Sequence, residues 1–333
     1  MIHLRTLALA FSTALLLSAP QARAAVFKDA QLEQMLEAEK FDALAQAAQQ
    51  RLSQAPKDAQ ALAAKAIAAT GGYDGRALDE ALGTAQQCVD LAPREAVCHL
   101  ALARVMGQQV LITSKLKAIG LVPKVRASLS TALALDPDLY EARSKLAQIY
   151  LLIPEFLGGS VGKARELESA IRSKKPEQAR LLNSLILARQ EQWDEAEREL
   201  MAVRVGEDAA LAEDVRNAYG ELGRHWIKSQ QFDRVKRMYE QLLKDQPAQA
   251  APYYYLGRLA QELERPAEAI PLLEKARGLA GAGGLPIDHR LGDAYAAEGQ
   301  VEAAKQAYQR YLAAKRAEPG HVKDARKSLA ALG

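Results

Sequence analysis

The chain has 333 residues, enough for one or two ordinary domains or for one extended repeat array in which each unit packs only on its neighbours. Hydrophobic residues make up 49%, mostly Ala and Leu, while aromatics are only 5%, which favours closely packed helices over an aromatic-rich β core. A net charge of +3 without a Lys/Arg run gives no electrostatic footprint for nucleic acid, which is set aside as a partner.

The first predicted element is an export signal over residues 1–24. Arg5 supplies positive charge, Leu7 to Leu17 is an apolar run, and Ala22-Arg23-Ala24 offers small residues around a cleavage point. Cutting between Ala24 and Ala25 sends a soluble 25–333 product to the periplasm or outside the cell and lowers its charge to +1, since Arg5 and Arg23 leave. The run is shorter than the roughly 20 residues a bilayer needs, so a retained anchor is the weaker reading. No Cys follows it for lipid attachment, and charges interrupt every later apolar stretch, so no stable membrane anchor is expected after cleavage.

From there the residues alternate between helix patterns. Phe41, Leu44, Ala48 and Arg51 end at Pro56, and Ala81, Ala85 and Cys88 end at Pro93. Leu129 and Ala132 end at Asp136-Pro137, Ala164 precedes Pro176, and Trp193, Ala196, Leu200 and Val203 follow. Proline marks turns where a helix cannot continue, and its intervals of 37, 44 and 39 residues imply insertions between helices around Met106 to Leu121 and Leu152 to Gly162. Cys88 and Cys98 flank the turn at Pro93, which brings them level on two antiparallel helices. A disulfide and a pair of buried thiols are both compatible with that placement, while the absent C-x-x-C spacing argues against redox catalysis.

Self-similarity is plainest over Asn217 to Pro247, Ala251 to Gly281 and Pro286 to Arg316. Leu222, Leu256 and Leu291 recur at 34 and 35 residues, each followed by Gly223, Gly257 or Gly292. These small residues let a second helix approach closely, with Val235, Ala269 and Ala304 expected to face them. Gly281 to Gly284 reads as a loop inside the array and Val322 to Leu332 as a capping helix after about eight helix pairs.

The pattern resembles the tetratricopeptide repeat family over essentially the whole of 25–333, most closely in the last third. Tyr150 to Phe156 with Gly158-Gly159 and Lys163-Ala164 is similar to a subgroup of exported bacterial members with a Pro- and Gly-Gly-containing elbow. The resemblance implies an all-α, right-handed α-solenoid of stacked antiparallel helix pairs, acting as a scaffold whose concave groove holds a protein or peptide. In the family's register the groove positions are Asn217, Gly220, Arg224, Ile227 and Lys228, then Tyr254, Tyr255, Arg258 and Gln261, then His289, Arg290 and Asp293. Arg224, Lys228, Arg258 and Arg290 would form a basic strip beside Tyr254 and Tyr255, suited to an acidic peptide, or else ordinary solvated charges beside partly core tyrosines. The family's carboxylate-clamp mode is disfavoured, because Gly220 and Pro286 occupy two of its positions.

Other chemistry finds no foothold. Gly158 to Lys163 departs from a phosphate-binding loop, since Leu157 replaces its first glycine and Ala164 its hydroxyl, so a tight turn is expected. His99, His225, His289 and His321 are scattered, without metal-ligand spacing, so no metal or cofactor is expected. No nucleophile elbow or carboxylate pair points to an enzyme. Two alternatives to an envelope adaptor stand: an enzyme or redox-linked factor with a site in the 106–121 or 152–162 insertions, and a self-assembling structural repeat protein.

Overall fold

The computed structural model describes residues 25–333, so the expected export signal over 1–24 lies outside them. Among the described residues seventeen α-helices form and no strand, apart from one isolated bridge between Gln249 and Ala280. They stack as pairs: α1 (Ala30–Glu37) with α2 (Phe41–Gln54), α3 (Ala59–Ala68) with α4 (Gly75–Leu91), and α5 (Ala96–Ile112) with α6 (Lys115–Leu135). Then follow α7 (Tyr140–Leu152) with α8 (Val161–Ser169), α9 (Pro176–Arg189) with α10 (Trp193–Ala202), and α11 (Ala209–Lys228) with α12 (Phe232–Asp245). The last are α13 (Ala250–Glu262) with α14 (Pro266–Arg277), α15 (Ile287–Ala297) with α16 (Val301–Ala313), and the terminal α17 (Pro319–Ala331). This is an all-α solenoid.

Five of the eight pairs share one turn. The first helix ends in a residue with positive φ: Glu39 (52°), Glu191 (62°), Gln230 (58°), Glu264 (57°) and Gly299 (70°). The next amide then reaches back to the first helix: Lys40 to Met35, Gln192 to Leu187, Gln231 to Trp226, Arg265 to Ala260 and Gln300 to Tyr295, each at 2.9 Å. This six-to-one bond satisfies a carbonyl that the helix end would leave bare and fixes the angle at which the second helix folds back. At the starts of α1, α3, α4 and α11, side chains of Asp29, Asp58, Asp74 and Asp208 accept from first-turn amides.

Gly223, Gly257 and Gly292 serve close approach, as expected, but the nearest atoms belong to a larger side chain, with the expected neighbour close only at Gly257, where the Ala269 carbonyl lies 3.4 Å from a Cβ. A Cβ on Gly223 would overlap the Tyr239 ring, one on Gly292 the Tyr308 ring, and one on Gly257 would sit 2.8 Å from Leu273. The large side chain one helical turn after Val235, Ala269 or Ala304 fills the notch, because it can cross the helix interface where a small residue cannot reach.

Pairs two to four depart from this scheme. α3 is Ala-rich and buried on nearly every side, from Ala61 through Ala68. The expected insertion at Met106 to Leu121 is not a connection: α5 and α6 simply run on, leaving Thr113 and Ser114 as the turn, with Pro123 carried inside α6. The second insertion is an irregular elbow with a short 3-10 turn at Glu155–Leu157, a left-handed Gly158 and a Gly159 whose Cβ would strike the Ile153 carbonyl. Ser160 caps α8 through the amide of Lys163 at 3.2 Å, so the Gly158 to Lys163 stretch is a turn and helix start following a helix. The expectation that no later stretch approaches a membrane span needs correction. By length and composition α6 is apolar enough to cross, because its charges are few and spaced, and only 22% of its apolar window is buried.

Two long-range contacts wind the array tightly. The buried Asp214 on α11 accepts from Tyr140 (3.0 Å) and Ser144 (2.5 Å) of α7 and pairs with Lys145 (3.3 Å), bridging first helices across an intervening pair. The two ends of the array also meet: Lys315 pairs with Asp42 at 2.8 Å, Arg316 pairs with Glu39, and the Arg316 guanidinium lies 5.1 Å from the centre of the Phe41 ring.

Candidate functional site

The face built by first helices α11, α13 and α15 gathers most of the groove residues read from the sequence. On α11, Asn217, Arg224 and Lys228 lie along one exposed stripe, seven and four residues apart, as helical periodicity requires. Tyr255 on α13 stacks on Tyr239 with ring centres 5.1 Å apart and donates to the Arg216 carbonyl at 3.1 Å. Its ring passes where a Cβ on Gly220 would stand, so that glycine admits it. Burial pushes the Tyr255 hydroxyl up to about 12, and Arg224 and Arg258 both act electrostatically on Tyr239.

The basic strip does not stand bare. Arg224 pairs with Glu221, Arg258 with Glu262 at 3.2 Å, and Arg290 with Asp293 at 3.1 Å. Arg290 is also tied to its neighbour helix, where Gln261 donates to its carbonyl at 2.9 Å. Tyr254 is 5% exposed and belongs to the core, leaving Tyr255 as the partly open ring. His289 is also buried; among the described residues its Nδ1 has no hydrogen-bond partner, and burial lowers its basicity. The open, chemically available set is therefore Asn217, Arg224 and Lys228, with Arg258 and Tyr255 at its edge.

In the first half the chain's own start packs against first helices α1, α3 and α5. Residues 25–28 run without helical structure ahead of α1, and Phe27 is 1% exposed in a core shared with α3 and α5. The Glu33 carboxylate accepts from the amides of Val26 (3.0 Å) and Phe27 (2.8 Å), the Gln60 side chain accepts from Lys28 (2.9 Å), and the Lys28 ammonium pairs with Glu95 at 2.7 Å. Sequence reasoning missed this strap, since one phenylalanine before a helix cap carries no periodic signal. It also missed Arg216, whose guanidinium is held by Gln246 at 2.9 Å.

The cysteines are joined: Cys88 near the end of α4 and Cys98 at the start of α5 form a disulfide with Cα atoms 5.3 Å apart, both fully buried. Among the described residues no cluster of His, Cys, Asp and Glu is arranged to hold a metal ion. A cavity of about 230 Å³ lies between the α10–α11 connection and α12, lined by Val203, Arg204, Tyr219 and Asp245 among others.

No known family profile and no curated protein matches the chain. Solved structures do. A tetratricopeptide repeat protein from Parabacteroides merdae ATCC 43184 is 15% identical, covering 78% of this chain and 93% of that one with a TM-score of 0.43. The human IFIT1 dimer with m7Gppp-AAAA is 15% identical over 88% of this chain and 68% of its own, TM-score 0.50, and the same dimer with PPP-AAAA is 17% identical over 82% and 68%, TM-score 0.45. The fold is thus tetratricopeptide-like. These structures also correct the exclusion of nucleic acid, because IFIT1 carries such a ligand on this type of fold. Net charge was a poor guide: it averages a whole surface, whereas a solenoid can collect cations on one face.

Proposed function

We propose that this tetratricopeptide-like solenoid is an exported scaffold of the cell envelope, which holds an extended segment of a partner protein against its first-helix face at Asn217, Arg224 and Lys228. The observation that carries the reading is the strap at residues 25–28: first helices in the first half hold non-helical chain, burying Phe27 beside α3 and α5 and taking backbone amides on Glu33 of α1 and Gln60 of α3. The buried disulfide supports an oxidising compartment, and with it cleavage at Ala24/Ala25. A face that grips extended chain supports an adaptor or assembly role.

The test places a photo-crosslinking residue at Asn217 and, in a second protein, at exposed Lys236 on α12. Expected is a discrete product from position 217, mapped to one contiguous stretch of the partner, lost on Arg224→Glu with Lys228→Glu and absent from position 236. Equal capture from both positions removes the groove reading. An oligoadenylate with a 5′ triphosphate forms a parallel arm; saturable binding that the double variant abolishes would make the ligand a nucleic acid. N-terminal sequencing of the protein from the periplasmic fraction, expected to begin at Ala25, checks export.

A further inference from the structure

The α5–α6 hairpin projects beyond the neighbouring pair. Arg126 donates to the Gly158 carbonyl at 2.9 Å, seating the α7–α8 elbow against α6, and the stretch of α6 from Lys115 to Arg126 is about 16 Å long at the helical rise. Five of the large apolar side chains left exposed fall on these two turns: Leu111, Leu116 and Ile119 on the hairpin, Leu152 and Phe156 at the elbow. Leu116 is 82% exposed and Phe156 86%, values far from those of the array's packed leucines.

The charge of the hairpin is one-sided. From Ala96 to Leu135 the chain holds no Asp or Glu, while Arg104, Lys115, Lys117, Lys124 and Arg126 contribute five positive charges. Glu141 uses Arg104 at 3.2 Å and the elbow carbonyls use Arg126. Lys115, Lys117 and Lys124 are exposed and make no ion pair among the described residues. Nearby carboxylates are otherwise placed: Asp79 accepts from Gln109 at 2.8 Å, and Glu155 lies at the elbow.

An apolar tip flanked by unpaired lysines matches a surface that is anionic outside and apolar just beneath. We propose that the α5–α6 hairpin docks the solenoid onto an anionic membrane surface. Leu111, Leu116 and Ile119 enter the boundary between headgroups and acyl chains, and Lys115, Lys117 and Lys124 meet lipid phosphates. The contact is interfacial, because Val125, Leu129 and Ala132 are buried in the array and hold the rest of α6 out of the bilayer.

The protein expressed from its full-length sequence is sedimented with phosphatidylcholine vesicles, with and without phosphatidylglycerol. Expected is pelleting with the anionic vesicles only, declining with salt. Lys115→Gln, Lys117→Gln and Lys124→Gln together should weaken partitioning on the order of 100-fold. Leu116→Gln with Ile119→Gln should weaken it further, with the thermal melt unchanged because these side chains are exposed. Absence of pelleting overturns the proposal, as does equal binding to both vesicles that the lysine variant leaves intact. A leucine variant that lowers the protein's mass in light scattering while leaving vesicle binding unchanged also overturns it, showing a second copy on the tip instead.

Discussion

Pairs five to eight and pairs two to four bury similar apolar faces by different means. In the later pairs each turn is closed by a left-handed residue and a six-to-one hydrogen bond, and glycines on α11, α13 and α15 are notched by Tyr239, Leu273 and Tyr308. In the earlier pairs no first α-helix ends in that turn, and a left-handed glycine with a six-to-one bond recurs only inside the elbow, at Gly158 and Gly159; instead there is an alanine helix buried on nearly every side, a disulfide, a long hairpin and an elbow held by Arg126. Glycine shows the difference most directly, because a Cβ on Gly83, Gly107 or Gly120 in α4, α5 or α6 would meet nothing within 4 Å. Regular repeats spend glycine on contact, whereas the irregular ones leave it idle.

The bridge between the two regions is the strongest place to break that contrast. Asp214→Ala leaves Tyr140, Ser144 and Lys145 without their shared acceptor and should cost about 3–5 kcal/mol in urea unfolding. Next comes the disulfide: Cys98→Ala with Cys88→Ala should cost about 2–4 kcal/mol. If the regions respond separately, hydrogen exchange will quicken in α3 to α5 and stay unchanged in α13 to α16. Opposite signs should appear at the two glycine classes. Gly292→Val, driven into Tyr308, should cost about 1–3 kcal/mol, whereas Gly107→Ala should gain about 0.5–1 kcal/mol by removing glycine's extra chain entropy.

The smallest effect is a dependence on acid confined to the later pairs. Burial holds His289 below its ordinary pKa, with Asp293 and Asp324 opposing and Arg290 and His321 adding to the shift. The unfolded chain takes up that proton near pH 6.5 and the folded one only at lower pH, so stability present above about 6.5 falls as the pH drops. Melting of His289→Gln should be flatter than wild type between pH 7 and 5, and a curve parallel to wild type would remove His289 as the cause.

The solenoid was legible because Leu222-Gly223, Leu256-Gly257 and Leu291-Gly292 are separated by nearly equal steps of 34 and 35 residues, and a near-regular step imposes stacking. The exposed stripe of Asn217, Arg224 and Lys228 was legible for the same reason: position along a helix decides which way a residue faces. Pairing was not, since Glu221, Glu262 and Asp293 sit a turn from their arginines as acids on any solvated helix do. Nor could any local pattern announce that Ser144 meets Asp214 or that Arg316 meets Glu39, because those partners are chosen by the curvature of the whole stack. The hairpin was misread as a connection because proline spacing reports only extra length, and that length can be spent on further helical turns.

A linear stack ordinarily melts from its two outermost units, each of which has a neighbour on one side only. The meeting of Lys315 and Arg316 with Asp42, Glu39 and Phe41 changes that boundary condition. Each terminal unit here touches the other, so peeling one away must first undo a clasp of two ion pairs and a cation over a ring. Lys315 and Asp42 are both 80% exposed and add little, which leaves the half-buried Arg316 as the main fastening. Salt screens the exposed pair far more than the half-buried one, so the two ends stay joined through Arg316 at ionic strengths that would release a surface clasp.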